Sequence, residues 1–266
     1  MTAPVQDRVI TREGVVFGAG GGRELRCDIY EPPASVKNGI GVLLIHGGGW
    51  SQGDRSQLKG YGVLLGRRGY TCIASEYRLT GESLWPAQIE DVKCAIRYVR
   101  ANAAELGIDP DRLVISGNSA GGHLSLMAGG AIAESSFEGT GGNNGVSSSV
   151  AAVISFYPPT GLDRRSWGGL PALFGKGANE DTLKGASPLS YATAKFPPTL
   201  LIQGNKDEVV PAAEATRMYE ALDAAGVPVE LHMFANQPHG FDADPKLGRH
   251  CAEIMLSFMD RFVLNR

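Results

Sequence analysis

Arg112-Leu113-Val114-Ile115-Ser116-Gly117-Asn118-Ser119-Ala120-Gly121-Gly122-His123 is the stretch that decides the fold. Arg112 to Ser116 reads as a short buried strand. Leu124, Met127, Ala128, Ala131 and Ile132 mark one side of a helix directly after it. Between the two lies G-x-S-x-G, and a strand-to-helix setting is what gives that pentapeptide meaning. A turn this sharp would make flanking side chains collide, hence Gly117 and Gly121. Ser119 is then held at the crest, at a helix N-terminus whose partial positive charge favours a developing anion. A Gly-Ser turn with no chemical role is the bland alternative.

A second stretch, His46-Gly47-Gly48-Gly49-Trp50, follows the apolar run Ile40–Ile45. Three glycines in a row cost chain entropy, and they suit a place where backbone N–H groups crowd around a ligand oxygen. The N–H of Ala120, the residue after Ser119, is the expected matching donor. His46 reads as a structural hydrogen-bonder rather than a base. A third stretch, Gln203-Gly204-Asn205-Lys206-Asp207-Glu208-Val209-Val210-Pro211, lies between a strand and a helix. A fourth, Pro238-His239-Gly240-Phe241, follows the strand Val229–Phe234. Ligand sites of open α/β sheets lie at the carboxyl ends of the strands, where Ser119, Asp207 and His239 can converge in the order nucleophile, acid, base. Asp207 is preferred to Glu208 as the acid because a short side chain loses less rotamer entropy when fixed. His123, His232 and His250 sit in a helix start, a strand and the final helix, and compete poorly as the base.

The rest of the chain alternates short apolar runs with helical patterns, the mark of an α/β fold with a mostly parallel sheet. Strands are expected at Glu24–Tyr30, Ile40–Ile45, Tyr70–Ala74, Arg112–Ser116, Val150–Phe156, Thr199–Gln203 and Val229–Phe234, within a total of about eight. Helices are expected over Gln57–Arg68, from Pro86, over Pro211–Ala225 and at the end, where Leu247, Cys251, Ile254, Phe258 and Phe262 form a stripe. Glu138–Ser149 is Gly, Asn and Ser with little else, the composition of a mobile surface loop. Tyr157–Tyr191 has bulky apolar residues without a period, and a loop this long is usually functional.

Composition narrows the function classes. The 266 residues carry 25 Lys and Arg against 28 Asp and Glu, a formal charge of −3, which argues against a nucleic-acid partner. No apolar run is long enough for a membrane span. The 36 glycines are about twice the usual share of ~7%, without a collagen period, so they belong to turns and close backbone approaches. The start has no apolar signal-peptide core. Cys27, Cys72, Cys94 and Cys251 are widely spaced among apolar residues and read as buried free thiols in a reducing, cytoplasmic setting. No His/Cys/carboxylate cluster has metal-ligand spacing, so no metal is expected.

His46-Gly47-Gly48-Gly49-Trp50, Tyr77-Arg78-Leu79, Gly117-Asn118-Ser119-Ala120-Gly121-Gly122 and Pro238-His239-Gly240-Phe241 together resemble the hormone-sensitive-lipase-like esterases and the related bacterial carboxylesterases and feruloyl-esterase-like α/β-hydrolases. The resemblance runs from about Glu24 to the last helix. It implies an α/β-hydrolase fold with an eight-stranded sheet, no cofactor, hydrolysis of small-molecule carboxylic esters, and Gly48 and Gly49 as oxyanion donors beside Ala120. The lipase-like members usually have Asp before the nucleophile, where this chain has Asn118. Their long helical N-terminal cap also has no counterpart before Glu24. One domain over residues 1–266 is therefore expected, with a reduced cap built from 157–191 and short acyl groups preferred. Trp50, Trp167 and Phe241 are candidate walls of the site. An arylformamidase, a sugar-ester deacetylase or a small peptidase would share the same triad, and a hydrolase-fold binding protein without catalysis is the alternative from another class. Monomer and homodimer both stay open.

Overall fold

The computed structural model describes residues 8–162 and 173–264. Its frame is an eight-stranded sheet in the order β1-β2-β4-β3-β5-β6-β7-β8. The strands are β1 Ile10–Gly20, β2 Arg23–Glu31, β3 Gly41–Ile45, β4 Thr71–Ser75, β5 Leu113–Asn118, β6 Ala152–Phe156, β7 Thr199–Gly204 and β8 Val229–Phe234. Only β2 runs against the others, pairing antiparallel with both β1 and β4; from β4 to β8 every pairing is parallel.

The central strands are apolar throughout because both faces are covered. Leu43, Ile45, Ile73, Ile115, Val153 and Leu201 point into one core with α2 (Ala87–Ala101), α4 (Ala120–Gly130) and α6 (Ala213–Ala224). Their strand neighbours Val42, Leu44, Cys72, Val114, Ile154 and Leu200 point into a second core with α1 (Lys59–Gly66) and α7 (Pro245–Phe262). The period of two along each strand divides the residues between the cores. Two short helices, α3 (Ala103–Leu106) and α5 (Glu180–Gly185), complete the described set. None of these helices is long and apolar enough to cross a membrane.

The seven strands expected from sequence are present within a residue or two at their ends. Pro86 precedes α2 as its N-cap. The eighth strand, β1, is the one that periodicity did not locate. Its register against β2 shifts between Arg12 and Val15 and again between Val16 and Gly18, so the alternation of buried and exposed side chains is broken twice. Residues 10–20 thus build a sheet edge rather than a cap. The four cysteines are all free and buried, and burial pushes the Cys27 and Cys251 thiols up to about 12.

The glycine-rich loop after α4 departs from its composition. Glu138 at its start receives Lys93 Nζ at 2.9 Å, Arg97 Nη1 at 2.8 Å and Ser148 Oγ at 2.7 Å. Arg97 also donates to the carbonyls of Glu138 and Gly142, and Arg100 Nη2 donates to that of Ser149. Lys93 and Arg97 are fully buried on α2, so the loop supplies the acceptors that two buried cations need. Burial works against the Glu138 carboxylate, but the Lys93 and Ser148 hydrogen bonds and the two positive charges outweigh it and hold the group below its usual value. Glu138→Gln should therefore destabilise the protein by about 2–3 kcal/mol, below the ~3–5 kcal/mol of a fully buried broken pair because Glu138 is a third open to water. A urea midpoint equal to that of wild type would contradict this. The wild-type contribution should be complete above the unfolded carboxyl value of about 4.3 and disappear as the pH falls through the lower folded value.

Candidate active site

Ser119 caps α4 with φ 55° and ψ −118°, a conformation rare for a residue with a side chain. Its amide donates to the Phe156 carbonyl at 2.9 Å and its carbonyl receives the His123 amide at 2.9 Å. These bonds hold the crest between β6 and the helix. A Cβ at Gly117 would lie 2.7 Å from the Ile45 carbonyl oxygen, and one at Gly121 would lie 2.6 Å from that of His46. Only glycine at both positions lets β5, its turn and the exit of β3 come this close.

Two further strand ends bring in His239 and Asp207. His239 Nδ1 lies 2.7 Å from Asp207 Oδ2, and His239 Nε2 lies 3.0 Å from Ser119 Oγ. An ionised carboxylate only accepts, so Nδ1–H donates to Asp207 and Nε2 is left to accept from the serine hydroxyl. Asp207 is fixed in turn. Its Oδ1 accepts from the amides of Val209 and Val210 at 2.9 and 2.7 Å, and its Oδ2 accepts from Gln203 Nε2 at 3.2 Å. Glu208, its neighbour, is exposed. The two loops are stapled to each other: Lys206 N donates to Gln237 O at 3.0 Å and Asn236 N to Asn205 Oδ1 at 2.7 Å. A Cβ at Gly204 would sit 2.9 Å from the Gln237 carbonyl carbon, so a glycine there sets the spacing of the loops.

Gly47, Gly48 and Gly49 line the cleft in front of Ser119. Among the described residues, no acceptor is paired with the amides of Gly48, Gly49 or Ala120. His46 is turned away from this space. It is buried, its Nδ1–H donates to the Gly47 carbonyl at 2.8 Å, and its ring stacks on Tyr77 at 4.4 Å. Burial lowers its basicity. His123 is also internal: its Nε2–H donates to the Ala186 carbonyl at 2.8 Å, its Nδ1 accepts from Trp50 Nε1 at 3.3 Å, and burial lowers it to about 4.

Two of the three aromatic residues expected at the walls are elsewhere. Trp50 is 3% exposed and packs edge-on against His123; at φ 59° its side chain turns into the core beneath the glycine run. Phe241 is 5% exposed and packs against Phe234 and Tyr157. Neither lines the cleft, because each fills space behind the loop that carries it. Trp167 lies outside the described residues, as does the middle of the 157–191 stretch. Among the described residues of that stretch only Tyr157 reaches the cleft, while Leu162, Leu173, Phe174 and Leu183 are core.

The cleft has a volume of about 1070 Å³. Its apolar wall comes from Leu58, Tyr61, Val63 and Leu64 at and within α1, and its far side from the start of α7. Behind His239 lies a group that sequence reasoning missed. The Tyr157 ring centroid is 4.5 Å from that of His239, Tyr157 Oη donates to Asp242 Oδ1, and Tyr61 Oη donates to Asp242 Oδ2 at 3.0 Å. Asn118 Nδ2 donates to Tyr157 Oη at 3.3 Å. The only sequence signals were positional: Tyr157 directly follows its strand and Asp242 follows His239 by three residues. Among the described residues no cluster of His, Cys, Asp or Glu could hold a metal ion.

Comparison with known proteins places the fold. The chain is 31% identical to the esterase LipQ of Mycobacterium tuberculosis over 90% of its own length and 60% of that protein's. It thus spans about 60% of the length of such curated relatives. A truncated carbohydrate esterase from gut microbiota has the same fold, with a TM-score of 0.84 and 26% identity over 97% of this chain and 99% of that one. Esterase 2 of Thermogutta terrifontis, solved phosphorylated by paraoxon, gives a TM-score of 0.81 and 27% identity over 95% and 94% of the two chains; it has also been solved with propionate bound. The fold is that of the α/β-hydrolases. The BD-FAE family model matches residues 27–222, from β2 through the glycine run and the serine turn into α6, and with that match over most of its length the chain belongs to the BD-FAE family of α/β-hydrolases.

Proposed function

We propose that the protein is a serine carboxylesterase acting on small esters with short acyl groups. The observation that carries the reading is the hydrogen-bonded chain Ser119–His239–Asp207, at 3.0 and 2.7 Å, facing three unpaired amides across an open cleft. Ser119 attacks the ester carbonyl as His239 Nε2 takes its proton. Asp207 holds the tautomer and stabilises the imidazolium. The amides of Gly48, Gly49 and Ala120 receive the oxyanion, where one lost donor typically costs ~3 kcal/mol. His239 then protonates the leaving alcohol, and a water repeats the sequence on the acyl-enzyme. The esterase relatives and the phosphorylated neighbour support the same chemistry. The four buried thiols support a reducing, cytoplasmic location. A sugar-ester deacetylase is the second reading, favoured by the likeness to the carbohydrate esterase.

Ser119→Ala should lower kcat for p-nitrophenyl acetate by about 10⁶-fold and abolish labelling by a fluorophosphonate. A labelled peptide that excludes Ser119 would overturn the assignment.

Asp207→Asn should keep the fold and lower kcat by a factor of about 10⁴, since the wrong imidazole tautomer is then favoured. Glu208→Gln, at an exposed side chain, should lose far less. The reverse ranking, with both variants melting like wild type, would move the acid to Glu208.

Short acyl groups follow from a cleft that residues 10–20 do not cap and whose apolar wall is one short helix. The propionate complex of the Thermogutta esterase is consistent with that size. Across acetyl, butyryl and palmitoyl p-nitrophenyl esters, kcat/KM should fall steeply at palmitoyl, and a higher value for palmitoyl than for acetyl would refute the preference.

A further inference from the structure

We propose that Tyr157, charged from behind by Asp242, is a positioning residue for His239 that braces the imidazole and stabilises its positive form during acyl transfer. The inference rests on the serine-esterase reading above. Among the described residues, three side chains make hydrogen bonds or ring contacts with His239. Asp207 meets Nδ1 and Ser119 meets Nε2, which uses both ring nitrogens. The third is the Tyr157 ring, at a centroid distance of 4.5 Å and a tilt of 59°. That is inside the ~6 Å within which an aromatic ring attracts a cation. In the resting state the imidazole is neutral and gains little from it. When Ser119 Oγ gives its proton to Nε2 and bonds to the carbonyl carbon, the ring becomes imidazolium and the attraction appears. An interaction stronger in the transition state than in the ground state raises kcat.

The phenol is not an ordinary buried tyrosine. Its hydroxyl donates to a carboxylate, the strong kind of hydrogen bond, which shifts electron density toward the ring. Asp242 also accepts from a second phenol, Tyr61, through its other oxygen. Asn118, next to the nucleophile, donates to the Tyr157 oxygen, so the phenol can spend its own proton only on Asp242. Burial, with the Asp242 charge behind it, raises Tyr157 well above its ordinary value, which keeps that proton on.

The backbone supplies a separate observation. Tyr157 has φ 36°, an uncommon and costly conformation for a bulky residue. Its amide donates to Ile202 O at 2.8 Å, and the preceding Phe156 carbonyl receives the Ser119 amide. The strained residue is therefore built into the same crossing of β6, β7 and the serine turn. A core aromatic at the end of β6 would not need this backbone; one that must lie against His239 does.

Among the described residues, few charged and titratable groups surround His239. Asp207 faces it from the β7 loop, Tyr157 from the end of β6, and Asp242 and Tyr61 stand behind Tyr157. Arg249 lines the same cleft from α7, and Glu208 is exposed beside Asp207. Of these, Asp242 is the carboxylate outside the triad that is coupled to the imidazole through a ring.

The test is the pH profile of kcat/KM and the value of kcat for a neutral ester, p-nitrophenyl acetate. Asp242→Asn removes the charge and keeps one acceptor oxygen, for one of the two phenols, while its NH2 group can donate to the oxygen of the other. It should lower kcat about fivefold, leave KM within about twofold, and move the acidic limb down by about half a pH unit, since an imidazolium without that charge loses its proton more readily. Tyr157→Phe keeps the ring and removes the bond to Asp242, so its limb should move the same way. Tyr61→Phe leaves the charge and the ring in place, and its limb should stay. If both Asp242→Asn and Tyr157→Phe keep the wild-type limb and kcat, or if the limb rises, the proposal is overturned. A wild type that hydrolyses the ester with no loss on Ser119→Ala overturns the esterase reading instead, and this proposal with it.

Discussion

The backbone of Ser119 is the constraint on which the site depends. A φ of 55° is unfavourable for any residue with a side chain, and it persists because neighbours leave no alternative. The Phe156 carbonyl takes the Ser119 amide, α4 takes its carbonyl, and the two flanking glycines allow the exit of β3 to press against the turn. That last contact matters chemically. It sets the glycine run after β3 beside the Ser119 hydroxyl, so unpaired amides and that hydroxyl are positioned by one close approach. Parallel pairing of β3 with β5 makes the contact possible, since both strands then end at the same edge.

The other half of the site is arranged by loops rather than by a turn under strain. Asp207 and His239 leave β7 and β8 at that edge, and backbone hydrogen bonds between the loops hold them at a fixed separation. Asp207 is dry and saturated with donors, while the His239 imidazole keeps one side open to the cleft. The remaining histidines close to the serine are structural parts. His46 and His123 each spend a ring N–H on a carbonyl, and burial lowers the basicity of both.

The features that sequence alone determined are those written in consecutive residues. A buried strand, a glycine-flanked serine and a helix specify a sharp turn wherever they occur together, because sterics and local hydrogen bonding act over a few residues. The same holds for the glycine run, for the acid and histidine loops after their strands, and for central strands apolar on both faces. Tertiary structure decided whatever depends on direction or register. Trp50 and Phe241 sit beside the motifs but turn into the core, since packing behind a loop, not its sequence, sets where a side chain points. The two register shifts of β1 erase the alternation by which a strand is recognised, so only pairing with β2 reveals it. Glu138 stands at the start of a loop whose composition suggests mobility, and only folding brings it to the buried Lys93 and Arg97. Tyr61, Tyr157 and Asp242 are far apart along the chain, and a hydrogen-bonded group of that kind exists only once β6, α1 and the histidine loop have met.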